Sequence, residues 1–451
     1  MNKLTLTAVS VAVAVSAVAG PKITVDGAAQ AANRLITINY TLADEDAIVT
    51  VDVQTNFTDG AETKWASIGA ENFTNIGGDV NRLVKTGARK ALWRPDKSWP
   101  DRELAAGKMR FVVNAWTTSA PPDYLVAELD GSKTVRYYES AAALPDGGLT
   151  NDIYRTDRLV LRKCPAANVT WWMGAPSDEM GFEQVYPGYD PAAHALKETR
   201  HQVTLSHDYY IGVFEMTQGQ AEKVGYKYNK SKFTTDKAVR PMENLYMNVL
   251  RGDKNGCKSW PDADIEKARV VDGEFSIVGL FRIATDLMLD LPTEAQWEFA
   301  CRAGCGTGLN NGTQLANNWI DATTVDANLA VVARYFANAG AKSSWTGTED
   351  LSQGTARVGT YPANAWGLYD MHGNVSELCL DRRVVDLGDA DVVDPVGDTD
   401  KENNMFIARG GSFTGSDYNR QACRSAARRE TYNDGWQLIS GAGARLCLTL
   451  E

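Results

Sequence analysis

The chain has 451 residues, with 46 Lys and Arg against 57 Asp and Glu and a formal net charge of −11. This length is about three times that of a typical domain and predicts more than one domain. The acidic balance argues against nucleic acid or an anionic membrane as a partner, because both need clustered cations. The four histidines and the absence of an HExxH motif argue against a zinc protease and against a three-histidine metal centre.

Residues 1–20 have the pattern of a secretory signal peptide. A short start with Lys3 precedes an apolar run of small residues, and Ala17-Val18-Ala19 provides a cleavage site before Gly20. The alternative is an uncleaved membrane anchor, but the run is diluted by Thr and Ser and is shorter than a typical spanning helix. We expect an exported protein, periplasmic, at the cell surface or secreted, whose mature chain has no membrane span.

Residues 21–150 predict an immunoglobulin- or fibronectin-like β-sandwich. Apolar and polar residues alternate along 36–42, 49–53 and 109–113, as in half-buried strands, with turn-forming residues between them. No long helical period interrupts this pattern. Because no motif groups titratable side chains here, we interpret this domain as a spacer or adhesion module.

From residue 155 to the C-terminus at 451 the chain is rich in Trp, Gly and Asn and predicts an irregular α+β domain. Two short helices are expected. Thr217 can cap one helix over residues 218–223, and Thr293 can cap a second that ends at Gly304. Gln296 completes a capping box with Thr293.

Several motifs of this second half occur in the order found in one protein family. The series resembles the formylglycine-generating enzyme (sulfatase-modifying factor) family, which implies a C-type-lectin-like core. The motifs are Trp172-Met-Gly174, Glu198-Thr-Arg-His-Gln-Val-Thr-Leu205, Tyr210-Ile-Gly-Val-Phe-Glu-Met-Thr217, Leu291-Pro-Thr-Glu-Ala-Gln-Trp-Glu-Phe-Ala300, Asn364-Ala-Trp-Gly-Leu-Tyr-Asp-Met-His-Gly-Asn-Val-Ser-Glu377, Arg409-Gly-Gly-Ser412 and Gly443-Ala-Arg445.

The resemblance also implies calcium. Carboxylates and backbone carbonyls are the ligands that Ca²⁺ prefers, and the alternative is a hydrogen-bonded loop whose carboxylates cap backbone amides. A second site could use Asn338 and Ala339, and Asp350 could add a carboxylate, although its spacing registers poorly with the family pattern. The first site is expected at Asp370, Gly373, Val375 and Glu377.

The family oxidase converts a cysteine of a client sulfatase to formylglycine with Cu(I) held by two thiolates. The positions of those thiolates are Gly415 and Arg420 in this chain. Neither residue binds copper, and Arg420 adds a permanent positive charge. The residues at these positions therefore predict neither copper binding nor formylglycine generation, and the resemblance identifies no catalytic residue in this chain.

Seven cysteines in an exported chain permit disulfides and leave at least one thiol unpaired or intermolecular. The resemblance places the partner of Cys301 at Ser425, and Cys423 lies two residues away. A shift of two along a strand keeps a side chain on the same face, so Cys301–Cys423 is the expected disulfide.

We predict a calcium-stabilised binding module for an unknown protein, peptide or glycan ligand. The candidate groove residues are Ser412, Ser416, Arg420 and Arg424, although internal salt bridges are the alternative for the arginines. The domain is similar to the variable ligand-binding proteins of diversity-generating retroelements, whose binding residues match 414–436. The alternatives are a family enzyme with a divergent site, such as Cys423 with Cys379 or Cys447, and a structural envelope component.

Overall fold

The computed structural model describes most of the chain beyond the predicted signal peptide. Of the predicted signal peptide at residues 1–20, residues 1–19 lie outside the described residues. Within the described ranges, no helix has the length and apolar character needed to cross a membrane. The described residues are 20–59, 62–69, 72–73, 76–99, 107–176, 179, 196–252, 275–316, 323–340, 351–398, 400, 403–414, 419–432 and 441–450.

The chain divides into two compact units. The N-terminal unit comprises Met1–Val126 and Val135–Asp152, and the C-terminal unit comprises Ala127–Thr134 and Ile153–Glu451.

The N-terminal unit is built mainly from antiparallel strands. The strands are β1 (Lys22–Gln30), β2 (Ile36–Ala43), β3 (Ala47–Asp59), β4 (Glu62–Ser67), β5 (Ile76–Gly78), β6 (Arg82–Val84), β7 (Gly87–Trp93), β8 (Met109–Trp116), β9 (Tyr124–Glu128) and β10 (Val135–Tyr138). In one sheet the strand order is β1-β2-β7-β5, and in a second sheet β3 pairs with β4, β6 and β8. Short helices occur at Pro95–Ser98, Ala141–Ala143 and Gly148–Thr150.

One apolar cluster holds these two sheets together. Ile38 and Tyr40 of β2, Val49 of β3, Trp93 of β7 and Phe111 of β8 all belong to it. The alternation predicted along 36–42, 49–53 and 109–113 is confirmed, because the apolar members of those stretches are buried. The immunoglobulin class of this unit stays a prediction.

The C-terminal unit combines short strands, short helices and long irregular segments, as an α+β domain does. Its helices are Ile153–Thr156, Gln218–Lys223, Lys237–Val239, Met247–Arg251, Ile277–Thr285, Glu294–Arg302, Leu329–Val332, Phe336–Asn338 and Asn419–Ala422. Its strands are β11 (Arg158–Cys164), β12 (Val169–Met173), β13 (His201–Leu205), β14 (Tyr209–Gly212), β15 (Ser376–Arg382), β16 (Val392–Val393), β17 (Met405–Arg409), β18 (Arg429–Tyr432), β19 (Ala442–Gly443) and β20 (Cys447–Thr449).

Both predicted helix starts are confirmed. Thr217 caps Gln218–Lys223, and Thr293 caps Glu294–Arg302, each through a reciprocal capping box. At the second helix the Thr293 hydroxyl accepts a hydrogen bond from the Gln296 amide at 3.2 Å, and the Gln296 side chain accepts one from the Thr293 amide at 3.0 Å. These bonds satisfy amides that have no partner inside a helix.

The sheet ordered β18-β17-β15-β19 supports the segment where the family chemistry is expected. Strand β15 is central, antiparallel to β17 and parallel to β19. Gly410-Gly411-Ser412 leaves the end of β17, and both glycines have positive φ, 85° and 70°. A side chain on Gly411 would meet the Cys423 Sγ at 2.5 Å, so the backbone passes this thiol at a distance that only glycine allows.

Candidate functional site

The second of the two positions that correspond to the family's copper thiolates holds a buried guanidinium. Arg420 lies in the Asn419–Ala422 helix and only 5% of its surface is exposed. Gly415, the other position, lies outside the described residues. The nearby Cys423 is fully buried, and burial raises the pKa of its thiol to about 12. Cu(I) binds thiolates, so this thiol would have to lose its proton to become a copper ligand.

The members of each alternative thiol pair belong to different apolar clusters of the described structure. Cys379 lies on β15 and Cys447 on β20, which belong to different sheets. Both thiols are fully buried, and burial raises their pKa values well above the usual range. Cys379 and Cys447 share one apolar cluster, whereas Cys423 belongs to another.

The expected Cys301–Cys423 disulfide is not present, and both residues are free thiols. The Cys301 Sγ instead lies 3.5 Å from the Ser425 hydroxyl, at the family's partner position. The prediction assumed an extended strand, in which a shift of two residues preserves the side-chain face. Cys423 lies in a turn after a helix, where that rule does not apply.

The first predicted calcium site is engaged in protein contacts. Both oxygens of Glu377 contact the Arg445 guanidinium, the shortest distance being 2.6 Å. The Trp297 indole also donates to Glu377 at 2.6 Å. The Val375 amide donates to Glu215 at 2.9 Å. In this structure the Glu377 carboxylate is paired with a guanidinium, so Ca²⁺ would have to compete with that partner for its oxygens.

Sequence reasoning missed the role of Glu215 and Arg445 in this cluster. Glu215 is fully buried, and burial together with the charges of Asp370 and Glu377 raises its pKa well above the usual range. Burial also raises the pKa of Asp370 to about 6. Glu215 and Arg445 both lie in the motifs that resemble the family. Nothing local in the sequence indicates that Glu215 contacts Asn374 and Val375, which are 159 and 160 positions away.

The other two expected ligands of the first calcium site, Asp370 and Gly373, take part in backbone hydrogen bonds. Asp370 accepts a hydrogen bond from the Gly359 amide at 2.5 Å, and its Oδ1 is buried without a hydrogen bond. The Gly373 amide donates to the Gly410 carbonyl at 2.7 Å. The loop is therefore held by backbone hydrogen bonds, and one carboxylate oxygen of Asp370 is left without one.

The second predicted calcium site is also used by the backbone. The Asn338 side-chain oxygen accepts a hydrogen bond from the Tyr335 amide at 2.7 Å, and its carbonyl accepts one from Arg334 at 2.6 Å. The Ala339 carbonyl accepts from the Gly354 amide at 3.0 Å. Asp350 lies outside the described residues. Among the residues that are described, no group of three or more His, Cys, Asp or Glu is arranged to hold a metal.

The predicted arginine groove is corrected by the structure at Arg424. This side chain is fully buried between Glu179, at 2.8 Å, and Glu198, at 2.7 Å. Ser412 is buried and donates to the Thr414 carbonyl at 3.0 Å, and Ser416 lies outside the described residues. The alternative of internal salt bridges is therefore confirmed for Arg424, since its guanidinium faces two carboxylates.

Two neighbouring arginines, Arg428 and Arg409, also form buried ion pairs. Arg428 makes two contacts with Glu294, at 2.6 and 2.9 Å. Arg409 is fully buried and pairs with Glu298. Arg429 differs, because it is half-buried and forms no ion pair in the described ranges, and burial lowers its pKa. The sequence does not distinguish Arg429 from its neighbours, because the five arginines of this stretch look equivalent: Arg409, Arg420, Arg424, Arg428 and Arg429.

Two of the four histidines, His201 and His372, make hydrogen bonds inside the described structure. His201 bonds the Thr199 carbonyl through Nδ1 at 2.9 Å. His372 accepts a hydrogen bond from the Asn310 amide at 3.0 Å through Nε2 and contacts the Cys423 carbonyl through Nδ1. Burial lowers the pKa of His372 to about 4, so its ring is neutral at physiological pH.

Comparisons with known proteins agree with the resemblance. The mouse formylglycine-generating enzyme is 32% identical over 131 residues, which are 27% of this chain and 30% of that protein. The chaperone protein LppX of Paenibacillus barcinonensis is 32% identical over 192 residues, 39% of this chain and 63% of that protein. The chain thus spans less than two thirds of either relative.

A solved structure, PvdO from Pseudomonas aeruginosa, is also similar. Its TM-score is 0.42 at 18% sequence identity, with 65% of this chain and 95% of that chain covered. The sulfatase-modifying factor enzyme 1-like domain matches residues 177–446, which is more than half of the sequence. The chain therefore belongs to the sulfatase-modifying factor enzyme 1-like family.

Proposed function

We propose that the C-terminal unit is a binding domain without oxidase activity, and that its ligand is a polypeptide. The observation that carries this proposal is Arg420, a buried guanidinium at the second copper position. It supplies a permanent positive charge and no thiolate. Cys423, three residues further on, is a single buried thiol, so it does not supply a pair of thiolates by itself.

The choice of a polypeptide rests on the relatives. The similar protein of Paenibacillus barcinonensis is a chaperone protein by name, and it matches 39% of this chain. A loop-rich domain suits recognition, because loops change side chains while the strands hold the backbone. The frame of this domain is rigid, with buried ion pairs such as Arg424–Glu198 and Arg428–Glu294 linking distant segments.

The proposal includes export, which rests on the signal-like pattern of residues 1–20. It also assigns the N-terminal unit to an immunoglobulin- or fibronectin-like spacer or adhesion module, supported by its two antiparallel sheets. Calcium is not part of this proposal, because both Glu377 oxygens already have protein partners, although Oδ1 of Asp370 has no hydrogen bond among the described residues.

Two measurements test the proposal. In the first, the mature full-length protein is loaded with Cu(I) and incubated in air with a Cys-x-Pro-x-Arg peptide, with the mouse formylglycine-generating enzyme as positive control. We expect mass spectrometry to show an unchanged peptide. Conversion of the cysteine to an aldehyde would overturn the non-oxidase assignment.

The second measurement follows the aggregation of heat-unfolded citrate synthase by light scattering. We expect the full-length protein to slow aggregation relative to an equal concentration of an inert protein. An unaltered rate would reject a polypeptide ligand while leaving the non-oxidase assignment standing.

A further inference from the structure

The N-terminal unit contains a cavity of about 370 Å³, within the size range of small-molecule sites. Every residue that lines it belongs to this one unit. Strands β3 and β5, the segments around Phe73 and Asn81, and residues 136–145 form its walls. None of the predictions from sequence concerned this cavity.

Part of the cavity wall is apolar and aromatic. Phe73, Ile76, Val80 and Tyr138 contribute to it. The Phe73 ring is fixed by an edge contact with Trp93, with ring centroids 5.2 Å apart. Aromatic rings of this kind offer a flat, weakly polar face that accepts C–H groups.

The acceptors in the cavity are two carboxylates that are already held in place. Asp52 accepts hydrogen bonds from Ser67 at 2.6 Å and from Gln54 at 2.9 Å. Glu139 accepts one from Asn114 at 2.8 Å and another from the Thr50 hydroxyl. A carboxylate has room for about four hydrogen bonds, so each keeps acceptor capacity. Fixing them before a ligand arrives reduces the entropy cost of binding.

The donors in the cavity are less occupied. Arg136 is half-buried and forms no ion pair in the part of the chain that the structure describes; its one hydrogen bond is a long one, 3.5 Å, to the neighbouring Val135 carbonyl. The Asn81 side-chain amide makes no hydrogen bond among the described residues. Both groups line the same cavity as the two carboxylates.

This combination discriminates between ligand classes. The charged groups of the cavity, Asp52, Glu139 and Arg136, are mixed in sign. The two carboxylates would repel an anion, and a cation would be attracted by them but repelled by the guanidinium. A neutral sugar fits both features. Its ring has an apolar C–H face for the aromatic wall, and each of its hydroxyls both donates and accepts. We propose that this cavity binds a neutral sugar unit, with Asp52 and Glu139 as acceptors and Arg136 and Asn81 as donors.

The test uses saturation-transfer NMR on the mature full-length protein. The probes are cellobiose, maltose, lactose and chitobiose at millimolar concentration, with glucuronate and glycine as the charged comparators. Two variants are measured beside the wild type. Arg136→Gln removes the main donor, and Arg82→Gln removes an exposed arginine of the same unit that does not line the cavity. Thermal melting checks that both variants are folded.

We expect at least one neutral disaccharide to receive saturation from the wild type and from Arg82→Gln. Its affinity for Arg136→Gln should be about tenfold weaker, the loss of one charge-assisted hydrogen bond. The proposal is overturned if no neutral sugar binds, if glucuronate or glycine binds in preference, or if Arg136→Gln binds as well as Arg82→Gln. These outcomes are independent of the function proposed for the C-terminal unit.

Discussion

Arg445 and Glu377 form a buried ion pair in which three nitrogen–oxygen distances lie between 2.6 and 3.0 Å. The same guanidinium donates to the Gly212 carbonyl at 2.8 Å and to the Tyr369 carbonyl at 2.8 Å. The pair therefore connects the ends of β14, β15 and the segment before β20. A residue with a rigid, forked set of donors is needed for this, which lysine does not provide.

Replacing Arg445 by Met should strongly destabilise the C-terminal unit. The change leaves the Glu377 carboxylate buried without its countercharge, which costs about 3–5 kcal/mol. Chemical denaturation followed by far-UV circular dichroism measures the loss. The control is Lys85→Met, which breaks an exposed pair with Asp46 and should change the midpoint little. Equal shifts in the two variants would contradict the role assigned to burial.

The stability of the C-terminal unit should fall as the pH rises through about 6. Burial raises the pKa of Asp370 from 3.8 to about 6, so the folded protein holds a proton that the unfolded chain has released. Stability is then greatest below the unfolded pKa and is lost as the pH passes the folded one. Glu215 and Glu377 oppose ionisation of Asp370, whereas Arg445 favours it.

Melting temperatures of the wild type and Asp370→Asn between pH 4.5 and 7.5, in EDTA, test this pH dependence. The variant keeps an acceptor for the Gly359 amide but has no proton to release. Its melting temperature should therefore fall less over this interval. An identical pH profile for the two proteins would show that another group controls the transition.

Calcium should have little effect on the melting temperature after EDTA treatment. The Glu377 oxygens already contact Arg445 and Trp297, and the Asn338 side chain holds the Tyr335 amide. A rise of several degrees on adding calcium would show that the metal displaces these partners. Glu377→Gln, measured in parallel, would then identify whether the first predicted site is the one that binds.

A pair of cysteines at the family positions should restore copper binding. Gly415→Cys with Arg420→Cys supplies two soft ligands, whereas Arg420→Cys alone supplies one. Competition with a chromogenic Cu(I) chelator measures the affinity. We expect tight binding only for the double variant. Equally tight binding by the wild type would place the copper ligands elsewhere, and weak binding by a folded double variant would reject the positional match.

Replacing Thr293 by Ala should cost about 1 kcal/mol through loss of the helix cap. The Thr293 hydroxyl accepts the Gln296 amide, and without it that amide is buried and unpaired. Thr293→Ser keeps the acceptor and serves as the matched control. The difference between the two variants in urea denaturation isolates the hydrogen bond.

Local features were predicted well because their causes are local. The caps at Thr217 and Thr293 depend on residues three positions away, and the strand alternation depends on residues two positions away. The partners of Glu377 and Arg424 could not be read from sequence, because Arg445 lies 68 positions and Glu179 lies 245 positions away. The Cys301–Cys423 prediction was wrong for the same reason, since it required the conformation of a segment with no periodic signal.

The burial of Arg420 affects how readily the family's copper site could arise in this domain by mutation. A single mutation to cysteine would replace a large, almost fully buried side chain by a small one and leave a cavity. It would supply only one of two copper ligands, so it would lower stability before any activity appeared. The proposed absence of the oxidase site is therefore expected to persist, because each single step towards such a site is disadvantageous by itself.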